Sequence, residues 1–399
     1  MKKVIILGGG NDQVPLIKEF NQRGYSTIVI DYFENPPAKP YVTKHFIGSS
    51  HSVEYLESIV SQEKPDVITS IGNDPVIPII AEVCEKFNFI NTPIDYKSSL
   101  CATNKELMKS VFVENNIPTS TSFNLTNINL STLNYPVVIK PKKGTSSRGV
   151  FRFDNKNELQ VYLNNESNLG NIIAEEFIDG DEISVDCIVV NGKSHVINTT
   201  QLFQIPNLES NFSFLYTQSP YTLENNLNKK IEKIAEKIAK AFHIKFGPFF
   251  FQAKVNSNEV SVIEMGARIA GGNKAEFIKI VTGYDVIKNS IDLLEGLDGM
   301  VPRTSYKSYY SKVHVYGRKG KVNKIEYKVT PSVLEITTLK KAGDILEGGV
   351  GAKDRVLSVT VVSDSPEQLK RNRLNFIDSV RILDDENEDL TLREYFYEN

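Results

Sequence analysis

Residues 260–277 read VSVIEMGARIAGGNKAEF. Val260, Val262 and Met265 set up the alternation of a strand, and Glu264 interrupts it with a lone carboxylate. Arg268 follows four residues later, and then the pair Gly271 and Gly272. A companion strand stands just upstream: FFFQAKV (249–255) places Gln252 in an apolar run, and NSNE (256–259) joins the two as a hairpin. Gln252 and Glu264 can then point at one spot. Two hard oxygen donors side by side suit Mg2+ bridging nucleotide phosphates, because magnesium keeps few protein ligands and takes the rest from phosphate. Arg268, one turn beyond, can neutralise charge on a phosphoryl group in transfer. The competing reading is a solvent-facing pair with Arg268 bonded to Glu264.

Two stretches further upstream fit the same chemistry. VVIKPKKGTSSRGV (137–150) ends an apolar strand on Lys140, then runs through a polar loop bracketed by Gly144 and Gly149. An ammonium about 4 Å from a phosphate oxygen is worth roughly 4 kcal/mol at an effective dielectric near 20. The loop between the glycines can close over phosphates with backbone N–H and hydroxyl groups. It is not a Walker A loop, since no Gly-Lys-Ser/Thr ends it. The alternative is a solvated turn with a snorkelling lysine. IIAEEFIDGDE (172–182) surrounds Phe177 and Ile178 with acids. A strand edge there can offer backbone groups to an adenine, Phe177 and Ile178 can cover the ring, and Glu182 can accept from ribose hydroxyls. An exposed acidic turn is the plain alternative.

The N-terminus alternates KVIILGGG, QVPLIKEFNQRGY, STIVIDY, VEYLESIVSQEKP, DVITSIG and PVIPIIAEVCEKF, the β–loop–α–β rhythm of a doubly wound parallel sheet over residues 1–100. Gly8, Gly9 and Gly10 open a helix, and Asp31 is spaced for a ribose contact, but Gln13 stands where a dinucleotide fingerprint needs glycine. Residues 204–222 read as loop, 228–244 (NKKIEKIAEKIAKAFHI) as an amphipathic helix, 275–295 as one helix, and the remainder as a β-rich tail. Net charge is -3, which gives no whole-chain attraction to nucleic acid or anionic membrane. Cys84, Cys101 and Cys187 are far apart in sequence, as suits a reducing cytoplasm. MKKVIILGGGNDQ is too briefly apolar for a signal peptide, and no run is long enough to span a membrane. The five histidines are scattered.

The order of these motifs, with a lysine helix before them and E-x-G-A-R and glycines at the end, resembles the ATP-grasp superfamily over residues 100–300. The tail resembles the C-terminal domain of its L-amino-acid ligase branch. The resemblance implies a carboxylate-amine ligase that uses ATP and Mg2+, with Mn2+ as a possible substitute. It implies that Lys105 and Lys140 contact nucleotide phosphates, and that Gly144, Thr145, Ser146, Ser147 and Gly149 form a flexible lid. Glu175, Glu176, Phe177 and Ile178 read the adenine, Glu182 binds ribose and Ile263 floors the pocket. Gln252 and Glu264 hold metal, Arg268 is catalytic, and Arg268, Gly271 and Gly272 meet the substrate. Two departures stand out: Gln252 replaces the usual first carboxylate, and Gly266 replaces an asparagine.

The expected fold is a doubly wound parallel α/β domain (1–100), an ATP-grasp module of two α+β subdomains (101–190 with the lid, 191–303 with the metal site) and a β-rich α+β domain (304–399). The expected activity is activation of a carboxylate as its acyl phosphate and capture by an amine, with release of ADP and phosphate. The partners are small-molecule carboxylate and amine substrates, with no nucleic acid or membrane and a possible homodimer. The acceptor cleft is expected between the N-terminal domain, residues 268–272 and the C-terminal domain. Alternatives are a carboxyphosphate-forming enzyme of the carbamoyl-phosphate synthetase type and a non-catalytic ATP-binding protein.

Overall fold

The computed structural model describes residues 1–125, 128–144, 148–205, 213–221, 225–257, 259–303 and 305–397. Strands β1 (Lys3–Leu7), β2 (Ser26–Asp31), β3 (Lys44–Ile47) and β4 (Val67–Thr69) pair in parallel in the order β3-β2-β1-β4. Alternate residues of β1 face opposite sides of the sheet. Val4 and Ile6 join a core with Leu16, Ile17 and Phe20 of α1 (Gln13–Gln22). Ile5 and Leu7 join another with Leu56 and Ile59 of α2 (Val53–Glu63) and Ile80 of α3 (Ile77–Lys86). The doubly wound expectation is met in this unit.

Helices α4 (Tyr96–Thr103) and α5 (Lys105–Glu114) lead to a four-stranded antiparallel sheet. It is built from β5 (Ser122–Phe123), β6 (Val137–Pro141), β7 (Phe151–Phe153) and β8 (Ile172–Glu176) in the order β5-β8-β6-β7, with α6 (Lys156–Asn165) against it. An eight-stranded sheet carries the rest. Its first strands are β9 (Asp181–Val190), β10 (Lys193–Gln204) and β11 (Phe214–Ser219). After α7 (Asn225–Ala241) come β12 (Gly247–Val255) and β13 (Val260–Gly266), then α8 (Lys274–Thr282), α9 (Val286–Leu294) and β14 (Tyr309–Tyr316). Two short ribbons, β15 (Gly320–Lys321) with β18 (Ile345–Leu346) and β16 (Lys324–Glu326) with β20 (Arg381–Leu383), flank β17 (Val333–Thr338) and β19 (Arg355–Ser363). α10 (Pro366–Ser379) packs on β19 and β14. The order is β13-β12-β9-β10-β11-β14-β19-β17, so one sheet runs from the central module into the C-terminal region.

The stripe Ile231, Ile234, Ala235, Ile238 and Phe242 on and just beyond α7 is buried against Ile183, Val185 and Phe251. Three expectations change. β9, placed by sequence in the lid subdomain, pairs with β12 and β10, so sheet membership switches at the Gly180 turn rather than at residue 190. The helix over 275–295 is two helices: Gly283 ends α8 at φ 77° and the Asp285 carboxylate caps α9 by accepting from the Lys288 N–H. Part of the loop at 204–222 is strand β11, which needs no strong alternation because β10 and β14 pair with it on both sides. No helix among the described residues is long and apolar enough to cross a membrane.

Candidate active site

The hairpin β12–β13 sets Gln252 directly opposite Glu264, with a register irregularity immediately after. Ser184 of β9 continues the same row. Lys105, first residue of α5, reaches them because Asn104 caps the helix by accepting from the Glu106 N–H at 3.0 Å. Its ammonium lies 3.3 Å from the Glu264 carboxylate and donates to the Gly144 carbonyl at 2.9 Å. One lysine thus ties the proposed lid hinge to the proposed metal carboxylate.

Behind this pair sits a buried cluster of unequal charge. Glu175 of β8 lies 2.7 Å from Lys140 of β6 and 3.1 Å from Lys109 of α5, and accepts from the Ser120 hydroxyl at 2.9 Å. All three charged side chains are at most 5 % exposed. Burial pushes the Glu175 carboxyl up, but Lys140 and Lys109 outweigh it and hold the group at about 2. Burial pulls the Lys109 ammonium down to about 8, against the attraction of Glu175. Two cations facing one anion leave a positive charge that a phosphate can meet.

One cavity joins these groups. Lys105, Lys140, Gly144, Glu175 and Glu176 line it, together with Phe177, Ile178, Glu182, Gln252, Ile263 and Glu264. Glu182 is buried, which pushes its carboxyl up against the pull of Lys254, 3.4 Å away; it also accepts from the Gln204 amide at 2.8 Å. The N–H groups of Glu176 and Phe177 already bond to the carbonyls of Thr121 and Pro136, both at 3.0 Å. Thr145, Ser146 and Ser147 lie outside the described residues.

Comparison with known proteins agrees with this arrangement. Residues 133–276 match the ATP-grasp domain family. The chain carries an ATP-grasp domain. It is 23% identical over 276 residues to the formate-dependent phosphoribosylglycinamide formyltransferase of Mannheimia succiniciproducens, covering 67% of this chain and 69% of that protein. The L-amino acid ligase of Bacillus licheniformis has the same fold, with TM-score 0.81 at 18% identity over 96% of this chain and 99% of that one. So has the phosphoribosylglycinamide synthetase of Anaerococcus prevotii, with TM-score 0.76 at 19% identity over 96% and 100% of the two chains.

Four sequence-derived residues of the ATP-grasp domain stand apart from the cavity, and one inside it is otherwise engaged. Arg268 does not line it. Its Nε donates to Asp74 of the N-terminal unit at 2.6 Å, its Nη2 pairs with the other Asp74 oxygen, and it stacks over Phe250 at 4.9 Å. Gly271 and Gly272 also face the N-terminal unit: the Asp12 carboxylate accepts from the N–H groups of Gly272 at 3.1 Å and Asn273 at 2.8 Å. Gly149, at φ 70°, packs on Pro141. Glu175 lines the cavity, yet its carboxylate is spent on two lysines and a serine. Asp31 is also committed, accepting from the N–H groups of Gly9 at 2.7 Å and Phe33 at 2.8 Å, which removes the ribose contact of a dinucleotide site.

Gly266 has a steric cause. A Cβ there would stand 2.4 Å from the Phe250 ring, which is itself held under Arg268. Gly266→Asn is expected to lose about 1–3 kcal/mol of stability by overpacking, with no gain in affinity for Mg2+. Thermal denaturation with and without Mg2+ checks both parts.

Sequence reasoning passed over Lys109 and Lys254. Lys109 lies beside Met108 on the buried side of α5, and Lys254 is two residues from Gln252 on the same strand face. Period-2 and period-3.6 counting around Gln252 and Lys105 would have found both.

Proposed function

We propose that the protein is an ADP-forming ligase that activates a carboxylate as its acyl phosphate and joins it to an amine. The observation that carries this reading is the convergence of Lys105, Lys140, Gln252 and Glu264 on one cavity, backed by the surplus positive charge of the Lys109–Glu175–Lys140 cluster. Lys105 and Lys140 hold the phosphates. Phe177, Ile178 and Ile263 cover the adenine, whose edge is read at Ile178, and Glu182 takes the ribose. The donor set fits Mg2+: one carboxylate and one amide oxygen face each other across the hairpin, and phosphate completes what they lack. Mn2+ accepts the same oxygen donors. Glu264 and Gln252 would hold the ion, which supplies charge neutralisation at the phosphates.

The chemistry asks for positioning more than for a general base. A carboxylate oxygen attacks the γ-phosphorus and the bond to ADP breaks. The amine nitrogen then attacks the acyl carbon, phosphate leaves and the ammonium proton is lost. Lys105 and Lys140 orient the triphosphate, and the buried cluster keeps positive charge in place while the site excludes water. Arg268, locked to Asp74, positions the loop 268–273 against the N-terminal unit, which forms one wall of the acceptor cleft. The relatives' names span phosphoribosylglycinamide and amino-acid substrates on one fold, so the reaction class rather than a substrate is proposed. Cys84, Cys101 and Cys187 are free thiols, which supports a cytoplasmic setting.

A screen of carboxylic acids with ATP, Mg2+ and hydroxylamine tests the reading. One acid class should release ADP and phosphate and form the hydroxamate. ADP release with bicarbonate alone would favour carboxyphosphate chemistry, and saturable ATP binding without hydrolysis in any mixture would refute the ligase.

A further inference from the structure

Directly opposed residues on neighbouring strands share one face of a sheet, so the face that carries Glu264 reads as a series of rows. One row runs Glu264–Gln252–Ser184–Thr200 across β13, β12, β9 and β10. The row before it on β9 sets Glu182 opposite Lys254, and both line the nucleotide cavity. The row after it begins at Asp186, which lies 3.2 Å from the ammonium of Lys274, the first residue of α8. The other face of β9, with Ile183 and Val185, is buried in the core under α7. Ser184 therefore shares its face with Glu182, between the nucleotide and the loop 268–273 that leads into α8.

The two ends of the Ser184 row are occupied from within. Glu264 lies 3.3 Å from the Lys105 ammonium, and the Thr200 hydroxyl accepts from Lys274 at 2.6 Å. Between them, Gln252 and Ser184 have no side-chain hydrogen-bond partner among the described residues. The ligase reading uses Gln252 as a metal donor and leaves Ser184 without a role. Ser184 is 6% exposed, and a polar group set that deep is nearly always bonded. The unbonded hydroxyls of Ser194, Ser311 and Thr360 are sealed from solvent, whereas the Ser184 oxygen stays accessible. Its acidic neighbours along β9 do not draw on it, since Glu182 pairs with Lys254 at 3.4 Å and Asp186 with Lys274.

We propose that the Ser184 hydroxyl donates a hydrogen bond to the terminal phosphoryl group of the bound nucleotide. The proposal rests on the ligase reading for the place of the nucleotide and adds a contact to that site. A rise of about 3.3 Å per residue carries Ser184 roughly 7 Å past Glu182, from the ribose end into the row of the metal donors. An open hydroxyl there meets an anionic oxygen with a charge-assisted hydrogen bond. It fixes that oxygen in place and takes no part in bond making or breaking.

Calorimetric titration of the full chain in Mg2+ with ADP, and separately with the non-hydrolysable analogue whose β- and γ-phosphorus are bridged by nitrogen, tests it. Ser184→Ala should bind ADP as wild type does and bind the analogue about tenfold more weakly, the worth of one hydrogen bond to a charged group. Ser184→Thr keeps the hydroxyl and should restore most of that affinity. Thermal denaturation of Ser184→Ala should show no loss of stability, because the hydroxyl it removes has no partner to lose. Equal affinity of wild type and Ser184→Ala for the analogue, or an equal loss for ADP and the analogue, overturns the proposal and leaves the ligase reading standing. Failure of wild type to bind either nucleotide would sink that reading and the Ser184 contact together.

Discussion

Lys140→Met is expected to weaken ATP binding about thirtyfold while the chain still folds. The estimate follows from one charge-assisted hydrogen bond to phosphate, about 2 kcal/mol. The fold survives because the substitution removes the surplus charge and not the balance. Glu175 keeps Lys109 at 3.1 Å and Ser120 at 2.9 Å, so a buried one-to-one pair remains. The unbranched apolar side chain of methionine fills much of the space of the lysine stem. Titration calorimetry with a non-hydrolysable ATP analogue reads the affinity, and thermal denaturation reads the fold. If affinity is unchanged, the lysine serves only Glu175 and the cavity is not a phosphate site. The converse change behaves differently. Removing Glu175 would strand two buried lysines, a loss of folding rather than of binding.

Much of the site could be read from the sequence, and the reason is local. Gln252 and Glu264 each break an apolar alternation, and a short turn between them fixes the register, so their juxtaposition needed only the pleat and the hairpin. Lys140 was legible for a similar reason, because a cation ending an apolar strand demands an anion. Its partner was found in part: Glu175 was singled out, but as an adenine contact, since nothing local shows that β8 lies beside β6. Arg268 shows the limit most clearly. Its partner, Asp74, is 194 residues away on another unit, and a planar guanidinium is satisfied as well by a structural carboxylate as by a phosphoryl group. The sheet membership of β9 was hidden for the same reason: strand pairing across Gly180 depends on β12, which the chain makes later.

The second large effect belongs to Glu264, because it is the one carboxylate of the two candidate metal donors. Glu264→Gln keeps shape and hydrogen-bonding capacity and removes the charge, leaving two amides where magnesium needs a hard anion. ATP turnover is expected to fall by at least about a thousandfold, on the scale of several kcal/mol that a metal contributes to transition-state charge. The fold should barely notice, since the side chain is 30% exposed and its ion pair with Lys105 is 3.3 Å long. Surface pairs of that kind contribute about 1 kcal/mol or less. Nucleotide binding without metal gives the discriminating readout. In the variant Lys105 no longer has a carboxylate to share, so its charge is freer for phosphate, and metal-free affinity should hold or rise while Mg2+ ceases to strengthen it. A structural role for Glu264 would instead weaken binding with and without metal alike. Retained Mg2+-dependent turnover would place the metal elsewhere and detach the hairpin from the chemistry.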